Sequence, residues 1–101
     1  MRILTFFDLP TITATDRKEY LRFRKFLIKN GFIMMQESVY SKLALNSTAT
    51  YAMIENVKKN KPASGLVQII TLTEKQYSQI EFVVGESQND LIDSDERLLV
   101  L

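Results

Sequence analysis

The chain contains neither cysteine nor histidine. Without cysteine there are no disulfides, thiolate nucleophiles or zinc-thiolate sites. Without histidine, the usual general base near neutral pH and the commonest transition-metal ligand are missing as well. Any chemistry must run on carboxylates, hydroxyls, cations or a hard, oxygen-bound metal ion. Only three glycines occur; each sits at the boundary of an expected element and reads as a turn, so there is no glycine-rich phosphate loop. No apolar run approaches the roughly 20 residues of a membrane span. The first apolar stretch is too short, and too quickly followed by Asp8, for a signal peptide. These features together lead to the expectation of a cytoplasmic protein. Internal repeats, low-complexity tracts and linkers are also absent.

What is present suits one soluble domain: 101 residues, 46% hydrophobic and 25% charged. A single core of that size is buried less completely than in a larger protein, and dimerisation would add burial. The net charge of +1 hides a segregation. Through Lys61 there are eleven Lys and Arg against five Asp and Glu, whereas residues 62–101 carry two against seven. A basic half suits a polyanion and an acidic half a basic protein partner, or one half shields the other; solvation of two surfaces explains the charge equally well.

Ile3-Leu4-Thr5-Phe6-Phe7-Asp8-Leu9-Pro10 reads as a short central strand that delivers one charge, Asp8, to its end. A carboxylate buried there needs a partner: loop N–H groups, a basic side chain, a metal ion, or a second copy of itself across a dimer axis. A lone aspartate before a proline is also an ordinary way to begin a turn. Leu4 and Phe6 lie on one side of this strand and Ile3 and Phe7 on the other, so both sheet faces look buried.

Thr15 or Asp16 is the expected cap of a helix that runs to about Asn30-Gly31. Tyr20, Phe23, Phe26 and Leu27 gather on one side of it. Lys18, Arg22, Lys25 and Lys29 fall within an arc of roughly 60° on the other and extend over about 16 Å. Solvated helix faces usually alternate in sign, and here Glu19 is the single acid after the cap, so the ridge is read as a polyanion site. Arg17 and Arg24 sit seven residues apart at the border of the apolar face, where a guanidinium is expected to be paired or directed at phosphate.

Phe32–Gln36 and Ser38–Leu43 form either a hairpin or one strand kinked at Gln36-Glu37. Asn46-Ser47-Thr48 is expected to cap a second helix with Tyr51, Ile54 and Val57 as core contacts. Its terminal Lys58, Lys59 and Lys61 suit the negative helix end. Leu66–Leu72 is the best strand in the chain, Thr73–Tyr77 one helical turn, and Ile80–Gly85 another expected strand. Arg97, Leu98, Leu99, Val100 and Leu101 follow an acidic segment. Four apolar residues in succession are expected to pair with a sheet edge, that of another chain slightly favoured. The order strand, helix, strand, strand, helix, strand is that of a ferredoxin-like α+β sandwich (βαββαβ). Residues 1–85 form its core and residues 86–101 are an acidic segment with an additional C-terminal strand for docking. A sheet-to-sheet homodimer would cover the face that the helices leave bare.

With Phe7-Asp8-Leu9-Pro10, Arg17, Arg24-Lys25-Phe26-Leu27, Asn30-Gly31-Phe32 and Gln36-Glu37-Ser38-Val39-Tyr40, essentially the whole chain resembles CRISPR-associated protein two, the small adaptation subunit, in the variant found with type II systems. The family often has tyrosine where this chain has Phe7, which removes a hydroxyl beside the carboxylate. The resemblance implies a ferredoxin-like homodimer that bridges the CRISPR integrase and holds duplex DNA while a new spacer is inserted. It also implies, for some members, a magnesium-dependent endonuclease acting on RNA or duplex DNA, with Mg2+ held by Asp8 at the dimer interface. A third reading, a regulatory α+β dimer binding a small ligand between subunits, rests on fold analogy alone.

Overall fold

The structure, a computed structural model, describes residues 1–85. The expected strand at Arg97–Leu101 and the acidic segment before it lie outside the described residues. The elements follow in the order β1 (Arg2–Asp8), α1 (Ala14–Lys29), β2 (Ile33–Gln36), β3 (Val39–Leu43), α2 (Ser47–Lys59), β4 (Leu66–Leu72) and α3 (Glu74–Tyr77). All strand pairs are antiparallel and the sheet order is β2-β3-β1-β4. This is the expected α+β sandwich, with β1 in the interior of the sheet. Among the described residues no helix is long and apolar enough to cross a membrane.

Side-chain alternation along β1 sorts the two faces. Ile3, Thr5 and Phe7 are buried on the helix side. There Phe7 packs edge-on to Phe23 (5.2 Å between centroids) and Tyr20 (5.9 Å) and stacks on Tyr40 (5.7 Å). Leu27 and Val57 complete this core from the two helices. The opposite face carries Leu4, Phe6, Val39, Leu43, Ile70, Leu72 and Ile33, by their register with β1 and with one another. On it Leu43, Ile70 and Ile33 are exposed, the last at 53%, whereas Leu4 and Ser41 at its middle are buried. At one end α3 is held against Arg2. The Arg2 guanidinium donates to both Glu74 carboxylate oxygens (3.1 and 2.8 Å) and lies 4.2 Å from the Tyr77 ring centre.

Several boundaries differ from the sequence expectation. The cap of α1 is Thr13, two or three residues earlier than expected. Its hydroxyl accepts from Asp16 N and its own N–H donates to the Asp16 carboxylate, a reciprocal pair that outcompetes a start at Thr15. The second and third strands are a hairpin, closed at Glu37-Ser38 with Ser38 at φ 66° and a register shift between Met34 and Gln36. Tyr51, expected in the core, is 68% exposed, because α2 turns Thr50 and Val57 inward instead. Ile80–Gly85 is not a strand within the described chain. It joins no ladder among the described residues, and Val83 and Val84 stand 93% and 91% exposed.

Gly65 opens β4 at φ 95° and lies against β1. A Cβ there would stand 2.7 Å from the Asp8 carbonyl oxygen and 2.8 Å from Leu9 Cδ2. Gly65→Ala is therefore expected to lower stability by about 1–3 kcal/mol, read as the midpoint of a urea transition. An unchanged midpoint would mean that the turn has room to relax.

Candidate nucleic-acid interface and the Asp8 carboxylate

Asp8 ends β1 opposite Leu66, on the bare side of the sheet. It is exposed, and among the described residues it makes no hydrogen bond or ion pair. The buried, partner-seeking carboxylate expected from the sequence is thus a solvated one, because none of the described residues covers the strand end. It borders a hollow of about 180 Å³ lined by Phe6, Phe7, Leu66 and Gln68. Gln68 faces Phe6 across the ladder and stands on the same side of the sheet as Asp8. Sequence reasoning passed over it, although one amide in an otherwise apolar strand was a visible signal. Among the described residues, no three His, Cys, Asp or Glu side chains come together as a metal site. One protomer offers a hard cation a single carboxylate and a neighbouring amide. That fits magnesium, which keeps several waters, only as one half of a shared site.

The ridge on α1 forms as expected, but its members differ in freedom. Lys18, Lys25 and Lys29 are exposed, and none has a hydrogen-bonded or ionic partner among the described residues. Arg22 is engaged. Its Nε donates to Glu19 (2.8 Å) and its Nη2 donates to the carbonyls of Asn60 (3.3 Å) and Lys61 (3.1 Å). Glu19 also accepts from Ala63 N at 3.3 Å. The Arg22 hydrogen bond, outweighing the opposing effect of desolvation, holds the Glu19 carboxyl below the usual carboxylate range. Glu74 is lowered in the same way by its hydrogen bond from Arg2.

The two border arginines are paired within the protein. Arg17 Nη1 donates to the Ile12 carbonyl (2.8 Å) and the Thr11 carbonyl (3.3 Å), which fixes the loop after Pro10. Arg24 Nε donates to the hydroxyl of Tyr40 at 2.9 Å, and Tyr40 is 1% exposed. Neither contact was legible from helical spacing, since both acceptors lie off the helix. The acids near the ridge are occupied by Arg22 and by the Thr13 cap, so the outward α1 surface carries surplus positive charge.

Fold and surfaces together define a ferredoxin-like α+β subunit with a cationic helical layer on one side and an uncovered apolar sheet on the other. The chain belongs to the Cas2 family: the family model for CRISPR associated protein Cas2 matches residues 1–80. It is 54% identical over 101 residues to a CRISPR-associated endoribonuclease Cas2 of Treponema denticola, covering the whole of both chains. Its identity to the protein of the same name from Streptococcus mutans is 48%, over all of this chain and 93% of that one. The fold is also that of Streptococcus pyogenes Cas2, as seen in its crystal structure at pH 6.5. The TM-score is 0.63 at 17% identity, covering 84% of this chain and 100% of the other.

The division between engaged and free cations is testable by stability. Arg24→Ala strands the buried Tyr40 hydroxyl and should cost about 1–3 kcal/mol in urea unfolding, whereas Lys25→Ala should stay within about 0.5 kcal/mol of the parent. Equal midpoints for the two variants would remove the structural role of Arg24.

Proposed function

We propose that the protein is a CRISPR adaptation subunit that binds duplex DNA as a homodimer and bridges the CRISPR integrase while new spacers are inserted. The observation that carries this reading is the row of free lysines Lys18, Lys25 and Lys29 on a face whose acids are already neutralised, in a chain of the Cas2 family. A cationic row contacts the sugar-phosphate backbone and carries little base preference, as a holder of arbitrary sequences requires. Arg17, Arg22 and Arg24 support the surface chiefly by fixing the loop, the α2 end and Tyr40. The bare apolar face supports face-to-face pairing of two copies, since exposed apolar patches of this kind mark interaction sites. Arg97–Leu101 is proposed as the segment that docks the integrase.

Binding should be steeply salt-dependent, with log K falling by about 0.9 for each phosphate neutralised. Replacing Lys18 and Lys25 together by Glu is expected to flatten the slope by about two units and to weaken duplex binding by more than tenfold, read by fluorescence anisotropy across salt. Unchanged slope and affinity would reduce the ridge to solvation.

The endoribonuclease name borne by the relatives favours a second reading. Two Asp8 carboxylates brought together by face-to-face pairing would repel, and Mg2+ between them would reverse that sign. Bound there, the ion would polarise a phosphoryl oxygen and acidify a water. Asp8 would hold it and Gln68 would orient its hydration shell. One carboxylate per chain and no histidine make a sparse hydrolytic site, so slow cleavage is expected. In magnesium, Asp8→Asn should abolish cleavage of labelled RNA and duplex DNA while leaving duplex binding intact. Cleavage at the parental rate by Asp8→Asn would end the nuclease reading.

A further inference from the structure

We infer that the phosphate-binding surface is the seam between α1 and α2, not α1 alone, and that Lys42, Lys59 and Lys61 are further contacts to the backbone of a nucleic-acid duplex. This rests on the DNA-holding reading above and extends it to Lys59 and Lys61, for which the helix end gave only a structural reason, and to Lys42 on β3.

Two contacts tie the helices side by side, and cations flank both. At one, Asn56 Nδ2 donates to Asn30 Oδ1 at 3.3 Å. Lys29 precedes Asn30, and Lys59 follows Asn56 by about one helical turn. Lys42 reaches the same place from β3: a Cβ on Gly31 would stand 2.6 Å from its Nζ. Lys42 and Lys59 line one hollow with Asn56 and the Lys58-paired Glu55, and Lys29 is the neighbour of Asn30 in the chain. At the other, Arg22 and Glu19 hold the backbone from Asn60 to Ala63 against α1, which brings the Lys61 main chain to the Arg22 part of the ridge; Lys61 also lines the groove between α2 and β4.

Local charge favours an anion along this line. The acids of the two helices are spent: Asp16 on the Thr13 cap, Glu19 on Arg22, and Glu55 on Lys58 at 3.2 Å. Lys42, Lys59 and Lys61 take part in no ion pair among the described residues. The carbonyls at the end of α2 would repel a phosphate, but Arg22 covers two of them. Packed helices lie roughly 8–10 Å apart, so cations on both make two rows instead of one. Two rows suit the two backbones that border a duplex groove, about 6 or 12 Å wide. A single strand has one row of phosphates and gains little from the second.

The test uses the full chain with Lys42→Gln, Lys59→Gln and Lys61→Gln combined, and Lys75→Gln on α3 as the control. Anisotropy is followed across salt with a duplex and with a single strand of the same length. The triple variant should keep the parental melting temperature, lose about two to three units of salt slope on duplex, and bind it at least tenfold more weakly at about 0.1 M salt. Its single-strand binding should change less than about threefold, and Lys75→Gln should match the parent. Parental slope in the triple variant, with Lys18→Glu/Lys25→Glu still impaired, would overturn the inference and leave the one-helix ridge standing. Equal losses on duplex and single strand would overturn the assignment to a duplex. No duplex binding by the parent would instead overturn the DNA-holding function itself.

Discussion

Strand β1 is hydrogen-bonded on both edges, to β3 and to β4, and every other element takes its position from it. Its helix-side residues Ile3, Thr5 and Phe7 are buried, and Phe7 alone touches rings from α1 and β3. Asp8 is the next residue. The carboxylate is therefore placed by the most constrained packing in the molecule on one side and by the backbone of Gly65 on the other. An exposed side chain on a rigid strand end is held more accurately than one on a loop. The same aromatic cluster orients α1, because Tyr20 and Phe23 fix the rotation of that helix and so turn its lysines outward.

Much of this was legible in the residues. The period of Tyr20, Phe23 and Leu27 located the helix and its cationic face, and the alternation of Ile3 to Phe7 located a strand with two distinct sides. The element order then allowed few arrangements. What could not be read has a common cause in distant partners. Tyr40 lies 16 residues from Arg24, and the carbonyls that bind Arg22 lie 38 and 39 residues from it. Spacing along one helix shows where a cation points but not what it meets. The Glu37-Ser38 turn lacks the glycine or asparagine that usually marks a left-handed residue, so the hairpin was indistinguishable from a kink. Ile80–Gly85 has strand composition, but composition describes a pleated, half-buried environment that a single protomer does not supply.

The two faces of the sandwich are chemically unlike, and this separates their tasks. Ionic strength acts on the lysine-bearing layer, where exposed charges are screened within about 8 Å at physiological salt. It has little purchase on the apolar sheet face, whose association strengthens with the area removed from water. The proposed pairing and the proposed polyanion binding would therefore respond to different solution conditions and could be measured separately on one sample.

The two edges of the sheet are as unequal as its faces. β2 offers four residues interrupted by a register shift, while β4 offers seven in regular register beside a groove under α2. Only the β4 edge is long and straight enough to template another strand. Growth by edge pairing requires two competent edges on each molecule, one to receive and one to offer. With one of them blunted, pairing through β4, where it occurred, would close on a two-fold axis and stop at two copies. The short, bulged hairpin strand would thus leave such pairing no second edge from which to extend.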